Sequence, residues 1–354
     1  MADQDRSAEL AERVQKAAQQ RTPLSVQGGG TKAFYGRACA GEALALAEHQ
    51  GVVYYEPSEL VLTARAGTPL AQIEALLADH GQMLAFEPPH FGEAATLGGA
   101  IATGLSGPRR PYAGAARDFV LGVQLINGRG EVLRFGGQVM KNVAGYDLAR
   151  TMTGALGTLG VILEVSVKVL PRPAHDLTLR MECKARDAVA SCNRWAGRPL
   201  PLSAACWDGQ NLFVRLSGTE PGVRQAAKRI GGEPVAEAAG FWADLREHRH
   251  PFFAGAASLW RLSLPPAASP LDLPGRWLID WGGAQRWLRT EAEAGQVREA
   301  AGAAGGHATW LRGGPADRAV FHPLSPGLQA LQGRLKDALD PHRILNPGRL
   351  YPHW

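Results

Sequence analysis

Cysteine is scarce in this sequence, and its spacing excludes the common metal and cluster motifs. The 354 residues contain four cysteines, at positions 39, 183, 192 and 206. None of them forms the Cys-x-x-Cys pair that is typical of zinc and iron–sulfur sites. We therefore expect buried thiols in a reducing compartment. If the protein passes electrons to an iron–sulfur cluster, that cluster must lie on another chain.

Long apolar runs and clustered basic residues are also missing. No stretch approaches the roughly 20 apolar residues that a membrane-spanning helix needs, so we expect a cytoplasmic chain, or one held at a membrane through a partner. The formal net charge is +5, but the arginines are scattered instead of gathered on one predicted face. This distribution argues against nucleic-acid binding.

The length and the 45% hydrophobic content predict two packed domains. In the first part, apolar periodicity predicts a helix over 7–20 with Ser7 as its N-cap, and a second helix around residues 70–77. Alternation in residues 161–170 predicts a strand with one buried face and one exposed face. Further strands are predicted at 24–27, 52–55 and 60–65, and a hairpin at 119–135 turns at Asn127-Gly128.

After Pro171 and Pro173 the composition changes, and a second unit is predicted. Strands alternate with helices, which indicates one sheet with helices on one side. The predicted strands are 177–183, 204–207, 212–216, 259–264 and 277–281, and the predicted helices are 185–195, 222–230 and 291–304.

Two glycine-rich stretches carry most of the functional information. Residues 28–32 and 95–107 consist largely of glycine, alanine and threonine, which let backbone amides approach a large anion such as a diphosphate. The spacing Gly28-x-Gly30-x-x-Ala33 also fits the Rossmann dinucleotide pattern. That alternative requires a helix after the loop, which Gly36 and Gly41 interrupt. We favour a non-Rossmann loop that binds a dinucleotide cofactor.

Together with residues 154–162, these stretches resemble the FAD-binding domain of the vanillyl-alcohol-oxidase superfamily, also called PCMH-type. Residues 106–110, 141–148, 281–287 and 340–349 narrow the resemblance to the FAD-binding E subunits of bacterial glycolate oxidases, over nearly the whole chain. The resemblance implies an α+β fold in three parts. They are a PCMH-type FAD-binding domain of two α/β subdomains at 1–173, an α+β cap domain with an antiparallel sheet at 174–330, and a C-terminal segment at 331–354 that packs back on the FAD domain.

The same resemblance implies where FAD is bound. Residues 28–32 form the first pyrophosphate loop, the second loop follows Thr96, and Asn346 returns beside the isoalloxazine. The first loop has no histidine and the second no cysteine, so we expect non-covalent FAD. The predicted contacts are Gly28, Gly29, Gly30, Thr31, Lys32, Pro89, Thr96, Leu97, Gly98, Gly99, Ala102, Thr103, Ser106, Gly107, Arg110, Gly157, Thr158, Gly160, Val161, Ile162 and Asn346.

The implied reaction is oxidation of glycolate, or a similar small 2-hydroxy acid, to the 2-oxo acid. The implied partners are a catalytic FAD-binding paralogue and an iron–sulfur subunit, in the cytoplasm or peripheral at the inner membrane through the complex. Related catalytic flavoproteins place a metal through a Gly-Asp-Gly-Asn stretch with histidine, which this chain lacks. We interpret Glu247, His248 and His250 as surface or helix-end residues and predict no metal.

Two functions therefore remain open: a catalytic subunit, or a non-catalytic flavin-binding subunit that relays electrons or acts as a scaffold. A cell-wall reductase of the same cofactor fold fits the glycines, but it does not fit residues 141–148 or 345–348.

Candidates for substrate recognition come from strand alternation. In residues 259–264, Arg261 falls on the face opposite Trp260 and Leu262. Arg215 is placed likewise in its strand, and an arginine fork suits a carboxylate. The alternative is that this sheet face is solvated. Tyr146 and Lys141 are weaker candidates near the flavin.

Overall fold

The computed structural model describes residues 4–138, 147–315 and 317–354. Its helices are α1 Ser7–Gln20, α2 Leu70–Asp79, α3 Leu97–Thr103, α4 Arg110–Ala113, α5 Ala116–Phe119, α6 Leu148–Thr151, α7 Ala185–Ala196, α8 Glu220–Ile230, α9 Ala239–Arg246, α10 Ala294–Ala303 and α11 Pro326–Leu339. Its strands are β1 Leu24–Gln27, β2 Glu42–Ala45, β3 Val52–Glu56, β4 Val61–Arg65, β5 Gln82–Met83, β6 Val120–Ile126, β7 Val132–Gly136, β8 Val161–Lys168, β9 Leu170–Pro171, β10 His175–Glu182, β11 Leu202–Trp207, β12 Asn211–Gly218, β13 Glu233–Val235, β14 Ser258–Ser263, β15 Arg276–Asp280, β16 Gln285–Thr290 and β17 His307–Arg312.

The first unit, α1 to β9, is built on a five-stranded antiparallel sheet in the order β3-β4-β8-β6-β7. Strand β8 lies at its centre, where every residue from 161 to 167 is buried. The predicted exposed face of this strand is therefore wrong. Its polar side chains are paired instead: Glu164 with Arg65 at 3.0 Å, and the Ser166 hydroxyl with that of Thr63 at 2.8 Å. Hydrogen-bonded polar groups tolerate burial, so alternation alone misjudged the strand.

The N-terminal part follows the predicted elements closely. Helix α1 has the predicted bounds, but Arg6 occupies the N-cap position. The predicted cap at Ser7 is wrong by one residue, because the Asp5 carboxylate accepts from the Ser7 amide at 2.9 Å. Strands β6 and β7 form the predicted hairpin. After β1 the chain makes turns instead of a helix before the parallel strand β2, so the non-Rossmann prediction is confirmed.

The second unit, β10 to β17, contains an eight-stranded antiparallel sheet, which we call the cap sheet. Its order is β13-β10-β12-β11-β15-β16-β14-β17. Helices α7, α8 and α10 cover one face, where Ala205 and Leu262 are buried. Helix α9 packs through Trp242 on the opposite face, with Cys206. The prediction of helices on one side only is therefore wrong, and the sequence did not reveal strands β13, β16 and β17.

The opposite face of the cap sheet also packs against the first unit. Tyr35, Leu105 and Leu156 share a buried cluster with Leu278 and Trp287. The alternative of a solvated sheet face is therefore wrong, because apolar residues of the first unit cover it. No helix in the described ranges is long and apolar enough to cross a membrane.

The end of the chain packs on the first unit. Leu339, Ile344 and Leu345 belong to the core of that unit, and Leu345 bridges Leu24 of β1 in parallel. Beneath them, the Lys336 ammonium donates to the carboxylate of Asp340 at 2.7 Å and to the carbonyl of Thr158 at 2.7 Å. The C-terminal segment is therefore held against β1 of the first unit.

Candidate functional site

The first glycine loop supplies a row of free backbone donors. In the described part of the chain, the amides of residues 28–32 donate no hydrogen bond. Gly30 has φ +71° and would leave an added Cβ in open space, so this turn faces a cavity and not the core. Consecutive unpaired amides in such a turn form a concave anion site.

The second glycine stretch touches the first. Helix α3 begins after Thr96, whose hydroxyl accepts from the Gly99 amide at 3.2 Å. A Cβ at Gly28 would lie 2.7 Å from that same hydroxyl, and a Cβ at Gly98 would lie 2.5 Å from the Cβ of Ala66. Only glycine permits these approaches. The two stretches therefore converge as the sequence predicted.

The third glycine turn meets the C-terminal segment. The Asn346 side chain accepts from the Val26 amide at 2.7 Å and donates to the Leu156 carbonyl at 2.7 Å. A Cβ at Gly157, where φ is +71°, would lie 2.7 Å from the Asn346 side-chain nitrogen. Asn346 thus fastens β1 to the turn before Gly157, a structural role that the sequence did not indicate.

These turns enclose a cleft with an empty space of about 1030 Å³, counting its open mouth. Most predicted FAD contacts line it: Gly28, Gly29, Gly30, Thr31, Lys32, Thr96, Gly98, Gly99, Ala102, Thr103, Gly157, Gly160, Ile162 and Asn346. Residues that the sequence missed also line it, among them Ser25, Val26, Cys39, Leu46, Ala66 and Arg349. They lack a glycine signal, and they reach the cleft because β1, β2 and the C-terminal segment meet there.

The other predicted contacts lie elsewhere. Leu97, Thr158 and Val161 are buried and do not line the cleft. Pro89, Ser106 and Gly107 line a smaller pocket described below. The Arg110 guanidinium stacks on the Trp281 ring, 4.1 Å from its centroid.

Lys32 is the buried cation of the cleft. Its side chain is only 7% exposed, and its ammonium donates to the carbonyl of His90 at 3.1 Å and to the hydroxyl of Thr31 at 3.3 Å. Burial lowers the pKa of Lys32 to about 8, and the negative charge of Glu247 opposes that decrease. Lys32 therefore offers a positive charge to an anion beside the free amides.

A smaller pocket, with about 390 Å³ of empty space, lies between the cap sheet and the first unit. Arg261 lines it and donates to the Tyr35 hydroxyl at 3.1 Å. Asp280 also lines it, and burial raises the pKa of its carboxyl to about 7. The His248 ring stacks on Phe253 with centroids 4.1 Å apart. Burial, and then the nearby arginines, hold the pKa of His248 well below its usual value, so this imidazole is neutral.

The remaining catalytic candidates are placed differently. The Arg215 guanidinium donates to Glu87 at 2.7 Å and to the Ser203 hydroxyl at 3.1 Å, and it lines neither the cleft nor the smaller pocket. Tyr146 and Lys141 lie outside the described residues.

Glu247, next to the histidines at 248 and 250, binds the backbone of the first unit. The Glu247 carboxylate accepts from the backbone amides of His90 and Phe91 at 3.0 and 2.7 Å. Within the described ranges, no group of three or more His, Cys, Asp and Glu side chains is arranged to hold a metal ion.

The fold and the cleft together define the class of protein. The family described as "FAD binding domain" matches residues 5–136. The structure superposes on p-cresol methylhydroxylase with substrate bound at a TM-score of 0.69 and 17% identity, over 98% of this chain and 87% of that one. It also superposes on alkyldihydroxyacetonephosphate synthase at a TM-score of 0.70 and 16% identity, over 97% and 76%. The protein has the PCMH-type FAD-binding fold and binds FAD.

Sequence relatives define the particular family. The chain is 51% identical over 347 residues to the glycolate oxidase subunit GlcE of Escherichia coli (strain K12), covering 98% of both chains. It belongs to the GlcE family of glycolate oxidase subunits, as its motifs predicted. It is also 30% identical over 215 residues to the glycolate oxidase subunit GlcD of Bacillus subtilis (strain 168), and 32% identical over 188 residues to a D-lactate dehydrogenase of Archaeoglobus fulgidus. Those matches cover 59% and 52% of this chain, but only 45% and 42% of the relatives.

Proposed function

We propose that this chain holds FAD non-covalently in a complex that oxidises glycolate, or a similar small 2-hydroxy acid, to the 2-oxo acid. The observation that carries the proposal is the convergence of Gly28, Thr96 and Gly157 on one cleft, in a chain 51% identical to GlcE. The free amides of residues 28–32 and the Lys32 ammonium hold the diphosphate. FAD bound in the cleft would supply a redox centre to that complex.

The partners that we propose are a GlcD-type flavoprotein, on which substrate oxidation takes place, and an iron–sulfur subunit. The support is the pair of relatives GlcE and GlcD, which are both glycolate oxidase subunits. In this arrangement the chain relays electrons or supports the catalytic paralogue.

The second candidate function, oxidation by this chain itself, is favoured by the smaller pocket. Arg261 offers a guanidinium to a carboxylate. His248 lines the same pocket, is neutral, and has a buried Nδ1 with no hydrogen-bond partner among the described residues. A neutral imidazole of this kind can take the proton of a substrate hydroxyl.

Anaerobic spectroscopy separates the two functions. The purified chain, loaded with FAD, should keep its yellow absorbance when glycolate is added alone and lose it when the partner subunits are also present. Bleaching of the isolated chain would establish the second function, and Arg261→Gln should then abolish it. A chain that binds no FAD would overturn both.

Non-covalent binding is supported by the residues of the cleft. The described lining residues include no histidine or tyrosine, and their one thiol is Cys39. Burial raises the pKa of Cys39, which disfavours the nucleophilic thiolate. Acid precipitation of the loaded chain should therefore release all flavin into the supernatant, as it should for Cys39→Ser. Flavin that stays with the wild-type pellet but not with the Cys39→Ser pellet would contradict the proposal.

A further inference from the structure

We propose that Glu247, in the second unit, is a positioning residue for FAD: it holds the backbone of His90, which in turn holds Lys32 in the cleft. Glu247 does not itself line the cleft. The inference rests on FAD binding in the cleft as proposed above, and it adds a residue to which neither the sequence nor the comparisons give this role.

The first link joins the two units. Glu247 follows helix α9, and its side chain is only 6% exposed. Its two carboxylate oxygens accept from the His90 amide at 3.2 and 3.0 Å, and one of them accepts from the Phe91 amide at 2.7 Å. Arg246 donates to the same carboxylate at 2.7 Å. Burial raises the pKa of Glu247, but the Phe91 hydrogen bond and the charge of Arg246 outweigh it, so the carboxyl is ionised at neutral pH.

The second link runs from the same residue into the cleft. The carbonyl of His90, whose amide Glu247 holds, accepts from the Lys32 ammonium at 3.1 Å. The Phe91 ring lies beside Lys32, with the ammonium 5.8 Å from the ring centroid. One step further, a Cβ at Gly92 would lie 3.2 Å from the Thr31 methyl. We call residues 87–92 the strap, because they lie between Glu247 and the first glycine loop.

The strap contains two residues in an unfavourable backbone conformation. Glu87 and Phe91 both have positive φ, at 47° and 55°, a conformation that costs energy in residues other than glycine. The strap therefore keeps its shape only while its contacts hold it. Removing the carboxylate that accepts two of its amides should let the His90 carbonyl move and release the Lys32 side chain.

The charge of Glu247 favours a protonated Lys32, and this effect adds to that of its hydrogen bonds to the strap. The described hydrogen bonds of the Lys32 ammonium go to two neutral oxygens, so its charge is available to the diphosphate. Glu247 raises the pKa of Lys32 through the electric field, against the effect of burial. Loss of the Glu247 charge should lower that pKa further and leave more neutral lysine near pH 8.

The test is the dissociation constant of FAD for the apoprotein, measured by quenching of flavin fluorescence at pH 7.5. We expect Glu247→Gln to weaken FAD binding about tenfold or more, because a neutral amide holds the two backbone amides of the strap less strongly than the buried carboxylate does. Asp208→Asn is the matched control. That carboxylate also accepts two backbone amides in the second unit, from Gln210 and Asn211 at 3.0 and 2.8 Å, but it does not line the cleft. Its FAD affinity should stay within about twofold of wild type.

A double-mutant cycle separates positioning from general destabilisation. If Glu247 acts through Lys32, Glu247→Gln should change FAD affinity less than about twofold in a Lys32→Met background. Full additivity of the two substitutions, or wild-type affinity in Glu247→Gln, would overturn the inference. If Glu247→Gln does not fold, Glu247→Asp takes its place, because it keeps the charge but not the reach, and weaker FAD binding is again expected. A wild-type chain without FAD affinity would instead overturn the proposed function, and the inference with it.

Discussion

The ammonium of Lys336 and the carboxylate of Asp340 lie 2.7 Å apart, and both side chains are fully buried. Lys336 also donates to the carbonyls of Thr158 and Leu345, and Asp340 accepts from the amides of Ile344 and Leu345. Removing one partner of such a pair leaves an uncompensated charge and costs about 3–5 kcal/mol. We expect Lys336→Met to lower the free energy of unfolding by about that amount, as measured by urea denaturation.

The control for this prediction is the exposed pair of Arg224 and Glu220 on helix α8. Arg224→Gln should change the free energy of unfolding by no more than about 0.5 kcal/mol. Similar losses of unfolding free energy in the two variants would show that Lys336 does not hold the C-terminal segment.

The close approach of the two glycine loops gives a second prediction. In Gly28→Ala the new methyl group would meet the Thr96 hydroxyl at 2.7 Å and force the loops apart. We expect FAD binding to weaken about tenfold, equivalent to about 1.4 kcal/mol. Gly81→Ala is the control, because nothing lies within 4 Å of a Cβ at Gly81, although this glycine, unlike Gly28, has a positive φ of +64°. It should cost about 1 kcal/mol of stability and leave the FAD affinity unchanged. The prediction fails if both variants bind FAD like wild type.

Lys32 makes FAD affinity depend on pH. Burial lowers its pKa to about 8, and the protonated form is the one that attracts a diphosphate. Affinity should therefore be full well below pH 8 and decrease as the pH rises through 8. Isothermal titration calorimetry between pH 6 and pH 9 should show this decrease in the wild-type chain and none in Lys32→Met, where weak binding is constant. Equal pH profiles for the two proteins would exclude Lys32 as the titrating group.

Asp280 makes the stability of the fold depend on pH between about 4 and 7. Burial raises its pKa to about 7 in the folded chain, above the ordinary aspartate value of 3.8. Between these values the folded state binds more protons than the unfolded state, so the contribution of Asp280 to stability falls as the pH rises. Asp280→Asn should have a higher Tm than wild type at pH 8, and the two should converge below pH 4. A lower Tm for Asp280→Asn at pH 8 would contradict the assignment.

The sequence predicted the convergence of the glycine stretches because their composition is visible in the chain itself. Glycine at positions 28, 98 and 157 is required by contacts with Thr96, Ala66 and Asn346, and such clusters are visible in the chain itself. Alternation also placed Arg261 correctly on the face opposite Trp260, which is buried on the helix side of the cap sheet.

What the sequence could not show are polar residues whose burial depends on distant partners. Strand β16 was missed because it contains Arg286 and Arg289, yet all six of its residues are buried. Arg289 donates to the carbonyls of Phe252 and Gly255, and Arg286 to that of Ser269. Periodicity treats an arginine as exposed, since it cannot anticipate carbonyl partners 17 to 37 residues away. Glu247 does lie at a helix end, as the sequence predicted, but its backbone partners His90 and Phe91 are distant in the chain and could not be anticipated.

The fastening of β1 by Asn346 has a consequence for biosynthesis. Val26 and Asn346 are 320 residues apart, so this wall of the cleft cannot be fastened until residue 346 has left the ribosome. We therefore expect a nascent chain that stops before Asn346 to bind flavin more weakly than a chain that includes it.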